Sequence, residues 1–191
     1  MSNGKIKGSI MMGIIRFLRL HRQQARLLLP EHLQRYLDTR ILATGWHPEE
    51  DYLELMRVLV QIRPQSRTRG VTPFEDAARD AATTHFEGPY KSLLRKGDPA
   101  RTLSNLPALW RLRHDTGEAE VELPKEGEAR VLLRGYSLVA PESCELTQGT
   151  LWGMVHHSGG EDIEVTHPSC RARGHDVCEW RLSWARAPDR S

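Results

Sequence analysis

The chain contains no run of apolar residues longer than a few positions, where a membrane-spanning helix needs about 18 or more. It also lacks a G-x-S-x-G elbow, a phosphate-binding P-loop and an H-E-x-x-H pair, so no catalytic residue is assigned and no enzyme is expected. Only three cysteines occur, Cys144, Cys170 and Cys178, all in the last quarter. An odd, clustered set reads as metal ligation or buried thiols before it reads as a disulfide framework. Neither sign of charge prevails: 27 Lys/Arg stand against 25 Asp/Glu, for a net of +2. Residues 1–70 hold twelve Lys/Arg against six Asp/Glu, too mild an excess to make nucleic acid an expected partner. No internal repeat or low-complexity tract is present. Lys5 and Lys7 precede an apolar stretch at Ile10, Met11, Met12, Ile14 and Ile15, but Arg16 and Arg19 interrupt it and no small-residue cleavage site follows. No transmembrane segment or leader is therefore read, and a cytoplasmic protein is expected.

What remains fits one domain of 191 residues: a flexible N-terminus over 1–9, a single α+β ligand-binding-like domain over 10–186 and a flexible tail over 187–191. Helices come first. Met11 to Leu29 is an apolar stretch with Arg19, Arg22 and Arg26 on one sector, either a solvated face or a basic surface for a membrane or anionic partner. Pro30 and Glu31 open a second helix, and Pro48 with Glu49, Glu50 and Asp51 a third, whose stripe is Leu53, Met56, Leu59 and Val60. Thr72-Pro73-Phe74-Glu75 carries an N-cap, proline at N1 and the acid of a capping box. Asp98-Pro99 begins another helix that Pro107 divides or kinks. After Gly117 the period changes to alternation. Glu118–Leu123, Ala129–Leu138, Leu151–His157, Ile163–His167 and Val177–Trp184 are read as strands, with a short helix or crossover over Pro141–Gly149. The expected fold is N-terminal helices packed on a C-terminal, mainly antiparallel sheet of about five strands.

Cys144, His167, Cys170 and Cys178 are the strongest chemical signal. Three thiolates and one imidazole make a borderline-soft tetrahedral set suited to Zn²⁺, with every position filled by protein, which describes a structural site. The same residues also read as small core thiols and a satisfied histidine. His175, and the pair His156-His157, are rival donors.

The tail from His167 to Trp184, with Cys170, Gly174 and Cys178 followed by Trp180, resembles the C-terminal signature of the 4-vinyl reductase domain family. That family is similar in fold to the sensor domains of aromatic-responsive bacterial regulators and to TRAPP-type tethering subunits. The resemblance implies a small aromatic or apolar effector in an enclosed pocket beside a structural zinc. It places Cys144, Cys170 and Cys178 on the family's three cysteines and His167 on its acidic ligand. The front half, Pro30 to Val60 with Trp46-His-Pro-Glu-Glu-Asp-Tyr52, resembles an uncharacterised myxobacterial paralogous family.

Function is accordingly expected to be a non-catalytic, zinc-stabilised ligand-binding or signalling module. The alternative is a scaffold or protein-interaction domain without a pocket. The expected ligand residues are Trp110, Trp152, Ala77, Ala81, Phe86 and Tyr136: small alanines leave room between helix and sheet, and aromatics supply rigid walls. A homodimer is expected, with the stripes Leu53/Met56/Leu59/Val60 and Phe17/Leu20 either forming its surface or meeting the sheet, and output passing to a protein partner or through the oligomeric surface.

Overall fold

The computed structural model describes residues 3–64, 68–88 and 90–186. Structure begins earlier than the expected flexible segment 1–9 allows. Lys5–Lys7 form a strand, β1, between whose lysines Ile6 is buried. The tail expected over 187–191 lies outside the described residues.

Next come α1 (Gly8–Leu20) and α2 (Arg22–Leu28), divided at His21. Their arginines do not form a free basic face. Arg19 donates to the carbonyls of Tyr36 and Thr39, while Arg22 and Arg26 bond Asp38. Those contacts pin a short helix, α3 (Arg35–Asp38), against the first two. β2 (Trp46–Pro48) pairs antiparallel with β1, setting Ile6 opposite His47. α4 (Glu49–Ile62) starts immediately after Pro48, with Glu49, Glu50 and Asp51 in the turn where the helix dipole favours negative charge. Its stripe of Leu53, Met56, Leu59 and Val60 is buried inside the chain. These residues therefore pack the core and do not supply the dimer surface expected of them.

α5 (Pro73–Glu87) opens as its capping pattern directs: the Thr72 side chain accepts a hydrogen bond from the Glu75 N–H. Asp98 caps α6 (Pro99–Leu103) in the same way, and Pro107 sits in the first turn of α7 (Leu106–Arg113). β3 (Glu118–Glu122) and β4 (Glu128–Arg134) form a hairpin. Then α8 (Pro141–His157) crosses to β5 (Gly160–Ser169) and β6 (Cys178–Arg186). The sheet is antiparallel in the order β3-β4-β6-β5.

The expectation of about five strands is thus corrected to four in this sheet among the described residues, because Leu151–His157 lies in α8. Successive apolar positions there fit either period. Burial decides between them: Leu151, Met154 and Val155, at i, i+3 and i+4, are all fully buried. Glycines let α8 press onto α5, for a Cβ at Gly149 would stand 2.3 Å from the Glu75 carbonyl oxygen, and one at Gly153 2.3 Å from Ala82 Cβ. No helix among the described residues is long and apolar enough to cross a membrane.

Candidate functional site

Two features of the fold carry chemistry, and α8 belongs to both. At its N-terminal end Cys144 meets Cys170 and Cys178, with Sγ–Sγ distances of 3.6 and 3.8 Å. His167 completes a set whose ligand atoms all lie within 4.8 Å of one another. Local backbone explains the convergence. β5 shifts register against β6 between Thr166 and Ser169, a bulge that re-aims the residue it carries, here His167. Cys170 then enters a tight loop. Arg173 and His175 donate backbone N–H bonds to its carbonyl, and Gly174 takes the left-handed conformation at φ 90°. The loop returns the chain to Cys178 at the start of β6.

The cluster is buried apart from the half-buried His167, whose ring stacks on Trp180 at 4.5 Å. His167 Nε2 is buried with no hydrogen-bond partner, which an isolated core histidine would rarely tolerate. The Cys178 thiol is drawn down, first by its hydrogen bond with Cys144 and further by His167 and the Arg171 N–H, which lies 3.3 Å from Sγ. The bond with Cys178 and burial push Cys144 up. Three sulfurs and one imidazole thus converge, the donor chemistry of a site able to hold a soft or borderline metal ion. Of the rivals, His175 Nδ1 lies 3.3 Å from the backbone nitrogen of Cys170. His157 bonds Thr83 at 3.2 Å, and His156 stacks on Trp152 at 4.6 Å.

The second feature is a cavity of about 660 Å³ bounded by α1, α4, α5, α7 and α8 and open to solvent on one side, within the range that small-molecule sites occupy. Its walls are apolar, with Ile10, Ile14, Phe17, Met56, Leu59 and Leu146 prominent. Exposed Met12, Gly13, Asp80 and Thr84 stand at its mouth. Arg63 is also a lining residue, held by Asp76 at 2.9 Å and Asp80 at 2.5 Å. Deeper are Tyr52, His85 and Arg113. Burial and the nearby Arg113 charge pull His85 down to about 3, so its imidazole is neutral.

The residues expected to bind a ligand separate into three places. Ala77 and Ala81 line the cavity. Trp110 and Tyr136 pack edge to face at 4.9 Å around an adjoining void of about 40 Å³, with the Trp110 indole donating to the Thr116 carbonyl. Trp152 and Phe86 are outside both. Trp152, on a helix and not a strand, lies under the Arg79 guanidinium at 4.3 Å, and Phe86 is buried beside His157. The α1 and α4 walls, His85 and Arg113 were not legible in advance. The apolar stripes were visible in the sequence, but a stripe that faces a cavity has the same spacing as one that faces a packed core.

Neither a family model nor a curated protein sequence matches the chain. Solved structures do. An H-NOX protein from S. oneidensis, in its Fe(II) ligation state, superposes with a TM-score of 0.63 at 13% identity, over 96% of this chain and 98% of that one. An unliganded Fe(II) H-NOX protein from K. algicida gives 0.63 at 9%, over 94% and 96%. An oxygen-binding H-NOX domain related to soluble guanylate cyclases gives 0.63 at 12%, over 95% and 96%. These matches overturn the expected kinship with 4-vinyl reductase domains, aromatic-sensing regulators and TRAPP-type subunits, whose signature the tail matched over too few residues to specify an architecture, and no family model supports the front-half resemblance. Spanning both chains almost end to end, they show that this protein has the α+β fold of the H-NOX domains.

Proposed function

We propose that this chain is a non-catalytic small-molecule-binding domain of a signalling protein, with an apolar ligand held between α1, α4, α5 and α8. The observation that carries the reading is the cavity of about 660 Å³, open at its mouth and lined mainly by apolar side chains, which is the size and chemistry of small-molecule sites. α8 supplies Leu146 and Thr150 to the cavity wall and Cys144 to the thiol cluster. Occupancy is therefore felt by the helix that the cluster anchors. Self-association or a protein partner would carry the output through other faces than the buried α4 stripe.

For the cluster we propose one structural zinc ion. Cys144, Cys170, Cys178 and His167 fill a tetrahedral shell without an open position. Its role is to staple α8 to the β5–β6 end of the sheet.

Among the similar structures are ones concerned with haem distortion and haem redox potential. The donors here fit a haem poorly. The cavity wall offers one imidazole, His85, whose ring is set edge-on to Tyr90 at 6.0 Å. For two propionates it offers one unpaired cation, Arg113, because Arg63 is already engaged by Asp76 and Asp80. The proposed ligand is accordingly metal-free.

The test is protein-observed NMR during titration with 2-naphthol and with dodecanol. Saturable shifts clustered on α1, α5 and α8 support the reading, and their absence with both probes rejects it in favour of a scaffold domain. Haemin is added separately. A Soret band that forms with the wild type and is lost in His85→Ala would overturn the metal-free reading.

A further inference from the structure

Arg113 is the one buried cation that the fold leaves without a counter-charge among the described residues. It ends α7 with 8% exposure, its Nε has no hydrogen-bond partner, and no carboxylate of the described residues reaches it. Its guanidinium carbon lies over the Tyr90 ring, 5.7 Å from the centroid. A guanidinium does not neutralise itself by losing its proton, so burial leaves a full positive charge needing an anion. The carbonyl end of α7 offers only a partial one.

Position gives that charge a use. Arg113, Tyr52, Leu146 and Thr150 line both the large cavity and the small void around Trp110 and Tyr136, and Arg113 is buried where Met12 and Asp80 are exposed, so the guanidinium stands away from the mouth. Between mouth and guanidinium the walls are apolar, and His85 adds no charge. Resting on the ligand-binding reading above, we propose that the cavity takes an apolar molecule ending in a carboxylate, which enters carboxylate first and pairs with Arg113. Two parallel N–H···O bonds would satisfy the guanidinium fork in a dry site, where such pairs are strongest. The apolar body would fill the space against Ile14, Phe17, Met56 and Ala81.

The experiment compares probes matched in shape and differing in charge: dodecanoate with dodecanol, and 2-naphthoate with 2-naphthol, by calorimetry on the full chain. In the wild type the carboxylate of at least one pair should bind about tenfold tighter or better, the scale of a charge-assisted hydrogen bond. Arg113→Met should bring that pair within about twofold by weakening the carboxylate alone, while Arg113→Lys keeps part of the preference. Without ligand, Arg113→Met should melt higher than the wild type, because an unpaired buried charge has been removed. If that variant does not fold, the Arg113 Nε–H resonance of the wild type serves instead: it should shift with the carboxylates and stay in place with the alcohols. Equal affinities in both pairs, or a preference that survives Arg113→Met, overturn this inference and leave the ligand-binding reading standing. Binding of none of the four probes overturns both.

Discussion

Cys144 on α8 and Cys170 at the end of β5 hold their sulfur atoms 3.6 Å apart, joining a helix and a sheet edge with no covalent bond between them, since all three cysteines are free. Thiols that close favour a shared ion. Elemental analysis and native mass spectrometry should find about one zinc per chain. Cys178→Ser should lose it and lower stability by on the order of several kcal/mol, read as an earlier denaturation midpoint, because metal binding to such sites is folding free energy. A protein that melts identically with and without chelator would reject the structural ion.

The contact between α8 and α5 sets a second expectation. Gly149→Ala adds a methyl group 2.3 Å from a backbone carbonyl oxygen, that of Glu75, and 2.7 Å from Ala78 Cβ. Alanine is the better helix former by about 1 kcal/mol, so a mere propensity effect would stabilise. Overpacking against backbone should win, with a net loss of about 1–2 kcal/mol in urea unfolding. A gain would mean that the two helices are not held at this distance.

The four residues of the thiol–imidazole cluster were legible in the sequence because donor chemistry resides in side-chain identity: three cysteines and a nearby histidine need no knowledge of packing to be suspected. α8 was legible only over its first half. Gly149 and Gly153 weaken its helical signal, and Leu151 to Val155 reads equally well as a strand. What those glycines do, admitting α5 at close range, is a tertiary fact. Arg113 was hidden for a similar reason. An arginine in the last turn of a helix normally reads as a solvated partner of the dipole, and only the assembled core shows that Tyr52, Tyr90 and Tyr136 surround it.

Glu49 predicts a pH effect. It is fully buried at the start of α4, accepts from Ser137 Oγ at 2.8 Å and lies 3.1 Å from His114 Nδ1. Burial raises its pKa from 4.5 to about 7. The folded state therefore holds this proton more tightly than the unfolded one. The resulting penalty is absent below about pH 4.5, grows as pH rises, and is complete above about pH 7. Glu49→Gln keeps the shape and removes the charge. Thermal melts should show the variant gaining on the wild type from pH 5 to pH 8, by at most about 3 kcal/mol. A difference independent of pH would mean that Glu49 titrates normally.

The cavity separates a binding domain from a filled scaffold through a single enlargement. Ala81 is half-buried on α5 and lines the cavity. In a close-packed core Ala81→Leu would force neighbouring side chains off their rotamers at a cost of about 1–3 kcal/mol. Against a void of about 660 Å³ the added side chain meets open space beside Ile14 and Phe17. It should leave stability unchanged or raise it by about 1 kcal/mol through newly buried apolar area. The same side chain removes room from the ligand, so affinity for the best-binding probe should fall about tenfold. Unfolding curves and calorimetry on one variant thus answer two questions. Destabilisation would show that the space is closed in solution. Retained stability with unchanged affinity would move the ligand away from the α1–α5 side, toward the small void at Trp110 and Tyr136.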